Sequence, residues 1–288
     1  MRRAVCFHHQ HFFEFRALIA GFTEHSGSIW SVVATATDHV LSASADGTVA
    51  LHASSTTSAI PEIEGHPSIQ HGQANPGARI WTLPRQSLGL VGLSVAVSDS
   101  ASDPTPEIAR RALCNSMTGE TILIDFGSGD ILATKESLEK GPNMGVMPME
   151  PGMIPSMTIF LELIFHLIYY PMLSVWSTSL SPDARTYAST SGRSGNVCIH
   201  DAAPGPTFGS TISTLPIGRN KWGMHVRYNP DGSKVAMSTE SGTIYVFDTQ
   251  KQTLASTFAS HAMCVRTLSW SNDGKVRFTS AHGALCMS

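Results

Sequence analysis

The residues of this chain that could carry out chemistry are scattered, and their spacing matches no catalytic or metal-binding motif. His9 and His11 are spaced like two metal ligands, but no third ligand lies at a suitable distance from them. Residues 127–130 (Gly-Ser-Gly-Asp) open no helix, so they lack the geometry of a phosphate-binding loop. Residues 192–195 have the wrong spacing for a nucleophile elbow. The sequence predicts no catalytic residue, no metal ion and no cofactor, and we expect a protein that is not an enzyme.

Aspartates recur at turns and strand ends, about once in each repeat of the chain: Asp46, Asp125, Asp201 and Asp248. A catalytic acid is expected once, whereas a carboxylate that accepts backbone N–H bonds in a turn is expected in every repeat. The recurrence therefore predicts a structural role. The same role is predicted for three Asp-Gly pairs: Asp46-Gly47, Asp231-Gly232 and Asp273-Gly274.

Four positions could instead contact a protein partner. Alignment of the segments that open the repeats places Trp30, Trp176, Met224 and Arg266 at one equivalent position. In a ring of such repeats this position opens on the narrow face around the central channel. Trp, Met and Arg are enriched in protein interfaces. Partly buried packing is the alternative for the two tryptophans, and the sequence leaves both interpretations open.

Short strands are the elements that must position these residues. Residues 222–258 predict four strands separated by polar turns at intervals of roughly eight to ten residues, which is typical of an antiparallel meander. Two pairs of apolar residues are predicted to share one face of this meander, with polar residues alternating between them: Val235 and Met237, and Ile244 and Val246.

The meander repeats along the chain. A six-residue motif recurs with a period of roughly 40 to 50 residues, at 179–184 (SLSPDA), 227–232 (RYNPDG) and 269–274 (SWSNDG). Four strands in such a period are typical of a β-propeller. The sequence predicts an all-β, WD-repeat type of propeller that is incomplete, with about four and a half to five recognisable blades of an expected seven.

The predicted organisation is a non-propeller tail over 1–23 followed by a propeller over 24–288. Its units cover about 24–63, 87–135, 174–215, 221–258 and 261–288, interrupted by a loop over 64–86 and an irregular insertion over 140–173. The last unit stops after its third strand. A propeller that lacks blades has two open edges, which lowers its stability.

The insertion contains a Met- and Pro-rich passage followed by an apolar run. At about 17 residues the run is short for a membrane span. Glu162 and His166 interrupt it, and an acidic side chain at the centre of a bilayer is costly. We expect no membrane contact. A segment packed on the propeller edge and a translated non-coding segment both remain open.

The amino-acid composition indicates which classes of partner the chain could bind. The chain has 42% hydrophobic residues, 14% charged residues and a net charge of −3, so it has no basic footprint for direct nucleic-acid binding. Its five cysteines are odd in number and widely spaced, which favours a reducing, intracellular setting.

The repeats resemble those of WD-repeat proteins, with named departures. The terminal Trp-Asp pair is replaced at residues 51–52, 200–201 and 247–248, and the initial Gly-His remains only as His25 and His261. The His–Ser–Asp–Trp network of many WD repeats is therefore expected to be mostly absent.

Longer stretches resemble the fungal superkiller-complex WD-repeat subunit, a family that overlaps with a meiotic recombination protein. These are residues 87–99 with 110–130, 185–201 and 253–275. The resemblance implies a non-enzymatic scaffold, cytoplasmic and nuclear, that joins a helicase and a tetratricopeptide-repeat protein in exosome-mediated mRNA decay and also acts in meiotic recombination. The alternative is a WD-repeat adaptor of another intracellular complex, for example in transcription or chromatin. A propeller enzyme and a membrane-tethered protein are further alternatives.

Overall fold

The structure is a computed structural model, and it describes most of the repeat region. The described residues are 25–35, 39–53, 79–82, 90–96, 106–116, 119–136, 175–190, 195–217, 221–259, 261–271, 274, 276–279 and 286–287. The predictions for the tail over 1–23, the insertion over 140–173 and Asp273 lie outside the described residues.

The described residues form nineteen strands in five antiparallel sheets, with one short helix, α1 (Pro106–Ala109). Sheet 1 contains β1 Ile29–Ala34, β2 His39–Ser44, β3 Val49–Ala53 and β4 Arg79–Thr82. Sheet 2 contains β5 Leu90–Val95, β6 Arg111–Ser116, β7 Thr121–Asp125 and β8 Asp130–Lys135. Sheet 3 contains β9 Thr178–Leu180, β10 Thr186–Thr190, β11 Asn196–Asp201 and β12 Thr211–Pro216. Sheet 4 contains β13 Gly223–Tyr228, β14 Lys234–Thr239, β15 Ile244–Asp248 and β16 Thr253–Phe258. Sheet 5 contains β17 Thr267–Trp270, β18 Val276–Thr279 and β19 Cys286–Met287.

Each sheet is a meander in which strands that are adjacent in the chain are adjacent in space. The first strand of each sheet, here called its inner strand, packs against the inner strand of the next sheet in chain order. Hydrophobic clusters fill each of the four interfaces between consecutive sheets. The five sheets therefore form a single row in which each sheet packs on its neighbours in the sequence.

The turns follow the Asp-Gly chemistry of the sequence. In the β2–β3 turn an Asp46 Oδ1 accepts the backbone N–H of Thr48 at 2.9 Å, and in the β13–β14 turn Asp231 does the same for Ser233 at 2.7 Å. Gly47 and Gly232 have positive φ angles of 84° and 74°, which glycine adopts without steric cost. These carboxylates hold the backbone of each turn.

Two expectations differ from the structure. Residues 79–82, inside the interval predicted as a loop, form β4 and complete sheet 1 by pairing with β3. The side chains of Val235 and Ile244 lie on opposite faces of sheet 4, because the register pairs Val235 with Phe247 and Ile244 with Ser238. Both faces are buried, one against sheet 3 and the other against sheet 5. An alternating apolar and polar pattern was the wrong prediction here, since an interior sheet has no solvent-facing side.

Hydrogen bonds join consecutive inner strands. Each inner strand is the edge of its own sheet, so every second backbone N–H points away from the sheet and needs an acceptor. Side chains of the preceding sheet supply it in four instances: Ser94 Oγ accepts from Leu180 (2.9 Å), Ser177 Oγ from Val226 (3.3 Å), Ser179 Oγ from Tyr228 (3.0 Å) and His225 Nδ1 from Leu268 (3.1 Å). These side-chain-to-backbone bonds form an inter-sheet ladder.

Candidate functional site

Strand register places Trp30 and Met224, two of the four predicted partner-binding residues, at equivalent points, and Trp176 and Arg266 are placed by their distance along the chain from their inner strands. In β1 and β13 the register shifts by one residue, which leaves Trp30 and Met224 as bulged residues opposite no partner of their own. Trp176 and Arg266 lie four residues before Leu180 and Trp270, the strand-end positions that correspond to Tyr228 in β13. We call these four residues the rim set.

The register adds a position that the sequence alignment missed. Val91 of β5 occupies the bulge of sheet 2, at the same point as Trp30 and Met224. No residue type signals this position, because valine is common in any strand. Only the register shift between Leu90 and Gly92 identifies it.

The rim set differs in exposure. Trp30 is 57% exposed and Arg266 is also exposed, whereas Trp176 and Met224 are half-buried. An exposed indole has no packing role to explain it, so packing accounts for Trp176 better than for Trp30. The set combines a large apolar surface with one cation.

The turns between second and third strands lie at the same end of the sheets as the rim set. The backbone N–H of Ala45 donates to the Ser28 carbonyl at 2.8 Å, and that of Glu240 donates to the Trp222 carbonyl at 3.2 Å. A carboxylate oxygen of Glu240 also accepts from the Trp222 N–H at 2.5 Å. The start of each of these inner strands is therefore held by its own sheet, which gives the rim a fixed backbone.

Sheet 1 contains a buried polar network beside the rim. His25 Nε2 is 2.7 Å from Ser42 Oγ, which in turn is 3.0 Å from His52 Nε2. His25 Nδ1 is 2.9 Å from Thr48 Oγ1, and that hydroxyl donates to Asp46 at 2.6 Å. The His–Ser–Asp arrangement is thus present in this sheet with a histidine, His52, at the position of the tryptophan. The strand register makes His52 equivalent to His200 and Phe247, so the pair that replaces Trp-Asp in sheet 1 is 52–53 and not 51–52 as the sequence predicted.

Hydrogen bonding decides the charge of Asp46 in this network. Burial alone would raise its pKa, but the side chain and backbone of Thr48, the backbone of Ser26 and the nearby His25 together hold the pKa well below its usual range. Asp46 is therefore a fixed anion that anchors the turn.

A second polar pair lies on β13, where the side chain of Arg227 contacts sheet 3 and that of His225 contacts sheet 5. Burial and then the charge of Arg227 lower the pKa of His225 well below its ordinary value, and burial lowers the pKa of Arg227 to about 10. Arg227 donates to the Thr178 carbonyl at 3.0 Å, and its own carbonyl accepts from Trp270 Nε1 at 3.1 Å. Since His225 Nδ1 accepts from Leu268, a neutral imidazole is the form that joins the sheets.

His200 in sheet 3 makes stability depend on pH. Burial, with a smaller effect from Lys135, lowers its pKa from 6.5 to about 4 against an opposing backbone contact from Gly209. His200 is then protonated below about pH 6.5 in the unfolded chain but only below about pH 4 in the folded chain. The free energy of unfolding therefore decreases as the pH falls through this window.

We expect His200→Gln to remove part of this loss. Between pH about 7.5 and about 5, the wild type should lose about 2 kcal/mol of unfolding free energy more than the variant. Urea unfolding at the two pH values measures the difference. An equal loss in both proteins would show that His200 titrates normally in the folded state.

The part of the chain that the structure describes gives little indication of a metal site or a reactive cysteine. No group of three or more His, Cys, Asp or Glu side chains is arranged there to hold a metal ion. Burial raises the pKa of the Cys114 thiol to about 12, so this cysteine is a protonated core residue. Within the same described ranges, no helix has the length and apolar character needed to cross a membrane.

Comparison with known proteins agrees with the strand pattern. Residues 16–52 match the family model described as WD domain, G-beta repeat. Together with five sequential meanders packed through their inner strands, this match decides the fold. The fold is an incomplete WD-repeat β-propeller. Sheets 1 to 4 are complete blades and sheet 5 supplies three strands of another.

Comparison with a solved structure supports the propeller fold. The chain is similar to the crystal structure of the Myceliophteria thermophila Cps50 (Swd1) β-propeller domain, with a TM-score of 0.58 and 13% identity over 89% of this chain. The chain spans 63% of the length of that domain. At this identity the likeness shows the fold alone. No curated protein matches the chain. WD-repeat propellers are typically non-enzymatic scaffolds that mediate protein–protein interactions.

Proposed function

We propose that this propeller is a non-enzymatic scaffold that binds protein partners through the rim set. The observation that supports the proposal is the shared bulge position of Trp30 and Met224, on a backbone held by the adjoining turns. Trp176 and Arg266 precede their inner strands at the corresponding point of the chain. Tryptophan and arginine on a rigid frame provide contact area at low entropic cost, which is typical of interface hot spots.

The finer proposal is a WD-repeat subunit of a superkiller-type complex, with helicase and tetratricopeptide-repeat partners. It would assist exosome-mediated mRNA decay in the cytoplasm and meiotic recombination in the nucleus. The sequence resemblance of residues 87–99, 110–130, 185–201 and 253–275 supports it. A net charge of −3 fits a subunit that contacts protein partners rather than RNA itself.

The test is affinity capture from cell extract with the tagged full chain, the rim variants Trp30→Ala and Met224→Glu, and the control Ile212→Glu. Trp30 is 57% exposed at the rim, and Ile212 is equally exposed on the outermost strand of sheet 3, away from the rim. We expect wild type and control to recover a helicase and a repeat-protein partner, and the rim variants to recover at least about tenfold less.

Two outcomes would contradict different parts of the proposal. Equal recovery by the rim variants would remove the rim as the binding surface. Recovery of neither partner by folded wild-type protein would remove the superkiller assignment, and a transcription or chromatin complex in its place would favour the alternative adaptor function. Thermal melts followed by circular dichroism establish that each variant is folded.

A further inference from the structure

An open cleft lies between sheets 3 and 4, at the end of the sheets opposite the rim set. Its volume is about 800 Å³, which is in the range of protein ligand sites. The turn after each of the two inner strands, the β15–β16 turn and the two outer strands of sheet 3 enclose it. Its lining includes Asp183, Ile199, Ile212, Ser213, Tyr228 and Asp231. We call this space the 3–4 cleft.

The corresponding space between sheets 2 and 3 is filled by an aromatic side chain of the chain itself. Phe208, in the turn between β11 and β12, is only 3% exposed. It belongs to a hydrophobic cluster that joins the two sheets and includes Leu123, Ala133 and Leu180. Its ring centroid lies 5.8 Å from that of Tyr187. At this interface the turn of sheet 3 therefore packs a phenyl ring between the two sheets.

Strand register shows that the 3–4 cleft is the counterpart of the Phe208 site. Three residues that line the cleft occupy the register positions of three neighbours of Phe208: Ile199 corresponds to Leu123, Ser213 to Ala133 and Tyr228 to Leu180. The turn that carries Phe208 spans 202–210, whereas the β15–β16 turn spans only 249–252. The shorter turn is polar (Thr-Gln-Lys-Gln), so sheet 4 supplies no aromatic side chain from its own turn.

The lining of the cleft combines an exposed apolar side chain with negative charge. Ile212, the bulged residue of β12, is 57% exposed there. Asp183 and Asp231 add one carboxylate from each inner-strand turn, and no lysine or arginine of the described chain lines the cleft. Hydrogen bonds from the side chain and then the backbone of Ser233 lower the pKa of Asp231, with a smaller contribution from the nearby Lys234, so Asp231 is an anion at neutral pH. The cleft therefore matches a ligand that joins an apolar group to a cation.

We propose that the 3–4 cleft binds an extended segment of a partner protein, which inserts an aromatic side chain where Phe208 inserts its own at the neighbouring interface. A lysine or arginine beside that aromatic residue pairs with Asp183 and Asp231. The occupant is a protein segment because the counterpart site is filled from a peptide turn, and the two carboxylates select against acidic segments. The proposal does not rest on the rim set, because the cleft and the rim lie at opposite ends of the inner strands.

Peptide selection on the immobilised full chain tests this proposal. The probe is a displayed library of randomised peptides of about ten residues, with counter-selection against Ile212→Glu to remove peptides that bind elsewhere. We expect the enriched peptides to share an aromatic residue with a lysine or arginine close to it in the sequence. Labelled synthetic copies should bind the full chain with a Kd of about 1 to 100 µM in fluorescence anisotropy. Replacing the aromatic residue by alanine should weaken binding at least about tenfold.

Variants of the full chain locate the bound peptide. Ile212→Glu places a carboxylate on the apolar side of the cleft and should lower the affinity at least about tenfold. Asp183→Asn keeps the side-chain oxygen that accepts from the Arg185 N–H at 3.1 Å but removes the charge. It should therefore weaken binding about three- to tenfold and reduce the dependence of binding on salt. Leu254→Glu, on an exposed position of β16 outside the cleft, is the matched control and should bind the peptide as the wild type does.

Three results would overturn the proposal. The first is a selection that enriches no peptide over Ile212→Glu, which would favour a cleft that another segment of this chain covers. The second is a set of enriched peptides without the aromatic and basic pair, and the third is binding that Asp183→Asn leaves unchanged. The rim test fails or succeeds separately, because Ile212→Glu should lose the peptide and still recover the rim partners. Circular dichroism melts establish that each variant is folded.

Discussion

Gly242→Ala is expected to destabilise the propeller by about 3–5 kcal/mol. Gly242 lies in the β14–β15 turn with a φ angle of 83°, and a Cβ atom there would overlap the carbonyl oxygens of His261 and Met263. Alanine in this backbone conformation costs about 1–2 kcal/mol by itself. The remaining cost arises because the overlapping atoms are backbone, which cannot rotate away as a side chain can.

The damage should fall on the contact between sheets 4 and 5. The segment from His261 to Met263 leads into β17, and the Val265 N–H bonds to the Thr239 carbonyl in the same turn at 3.3 Å. Displacing this segment detaches the start of β17 from sheet 4. We therefore expect faster amide hydrogen exchange at Leu268, whose N–H bonds to His225, than at Val226, whose N–H bonds to sheet 3.

Gly274→Ala is the matched control for this prediction. Its φ angle is 76°, close to that of Gly242, but a Cβ atom at Gly274 meets nothing within 4 Å. Only the conformational cost remains, about 1–2 kcal/mol. Urea unfolding of both variants measures the difference, and equal losses would show that the close approach of His261 is not what restricts position 242.

The positions and spacing of the strands could be predicted from turn residues close to them in the sequence. Turn residues such as Asp46 with Gly47 and Asp231 with Gly232 mark the ends of strands, because their side chains and φ angles act within a few residues. The equivalence of Trp30 and Met224 followed from the same spacing, since aligning the turns aligns the strands between them. Local chemistry was sufficient for both.

The environment of each strand could not be predicted in the same way. Alternation typical of a half-buried strand predicts Val235 and Ile244 on one face, whereas the structure buries both faces of the sheet between its neighbours. β4 was missed because Arg79 to Thr82 is a short strand that returns after a long interval to pair with β3. Pairing partners far apart in the sequence leave little local trace.

In two sheets a histidine takes the place of the tryptophan in the His–Ser–Asp–Trp network. The expectation that the His–Ser–Asp–Trp arrangement is mostly absent treated the missing tryptophan as a loss. His52 nevertheless reaches Ser42 at 3.0 Å, and His200 in sheet 3 reaches Ser189 at 2.8 Å, stacked on Tyr187 at a centroid distance of 4.8 Å. A ring nitrogen at this position supplies a hydrogen-bonding partner for the serine, so these two sheets tolerate the substitution.

Gly92→Ala is expected to cost about 3–4 kcal/mol through a different residue, Asn115. Gly92 lies opposite Asn115 in sheet 2, and a Cβ atom at Gly92 would overlap the side-chain oxygen of Asn115. That amide is fully buried and joins sheets 2 and 3: its Nδ2 donates to the Val175 carbonyl at 3.2 Å, and its Oδ1 accepts from Thr178 at 3.0 Å. Moving the amide breaks two buried hydrogen bonds at once, each worth about 1–2 kcal/mol.

A double-mutant cycle with Asn115→Ala tests this mechanism. If Gly92→Ala acts by displacing the amide, removal of the amide already includes its cost, and the double variant should be no less stable than Asn115→Ala alone. The coupling between the two substitutions should then be about 2 kcal/mol or more in urea unfolding. Additive losses would instead mean that a methyl group at position 92 harms the packing of β5 directly. The absence of a side chain at position 92 is, on this reasoning, what allows one asparagine to hold together two sheets whose contacting residues lie about 60 positions apart in the chain.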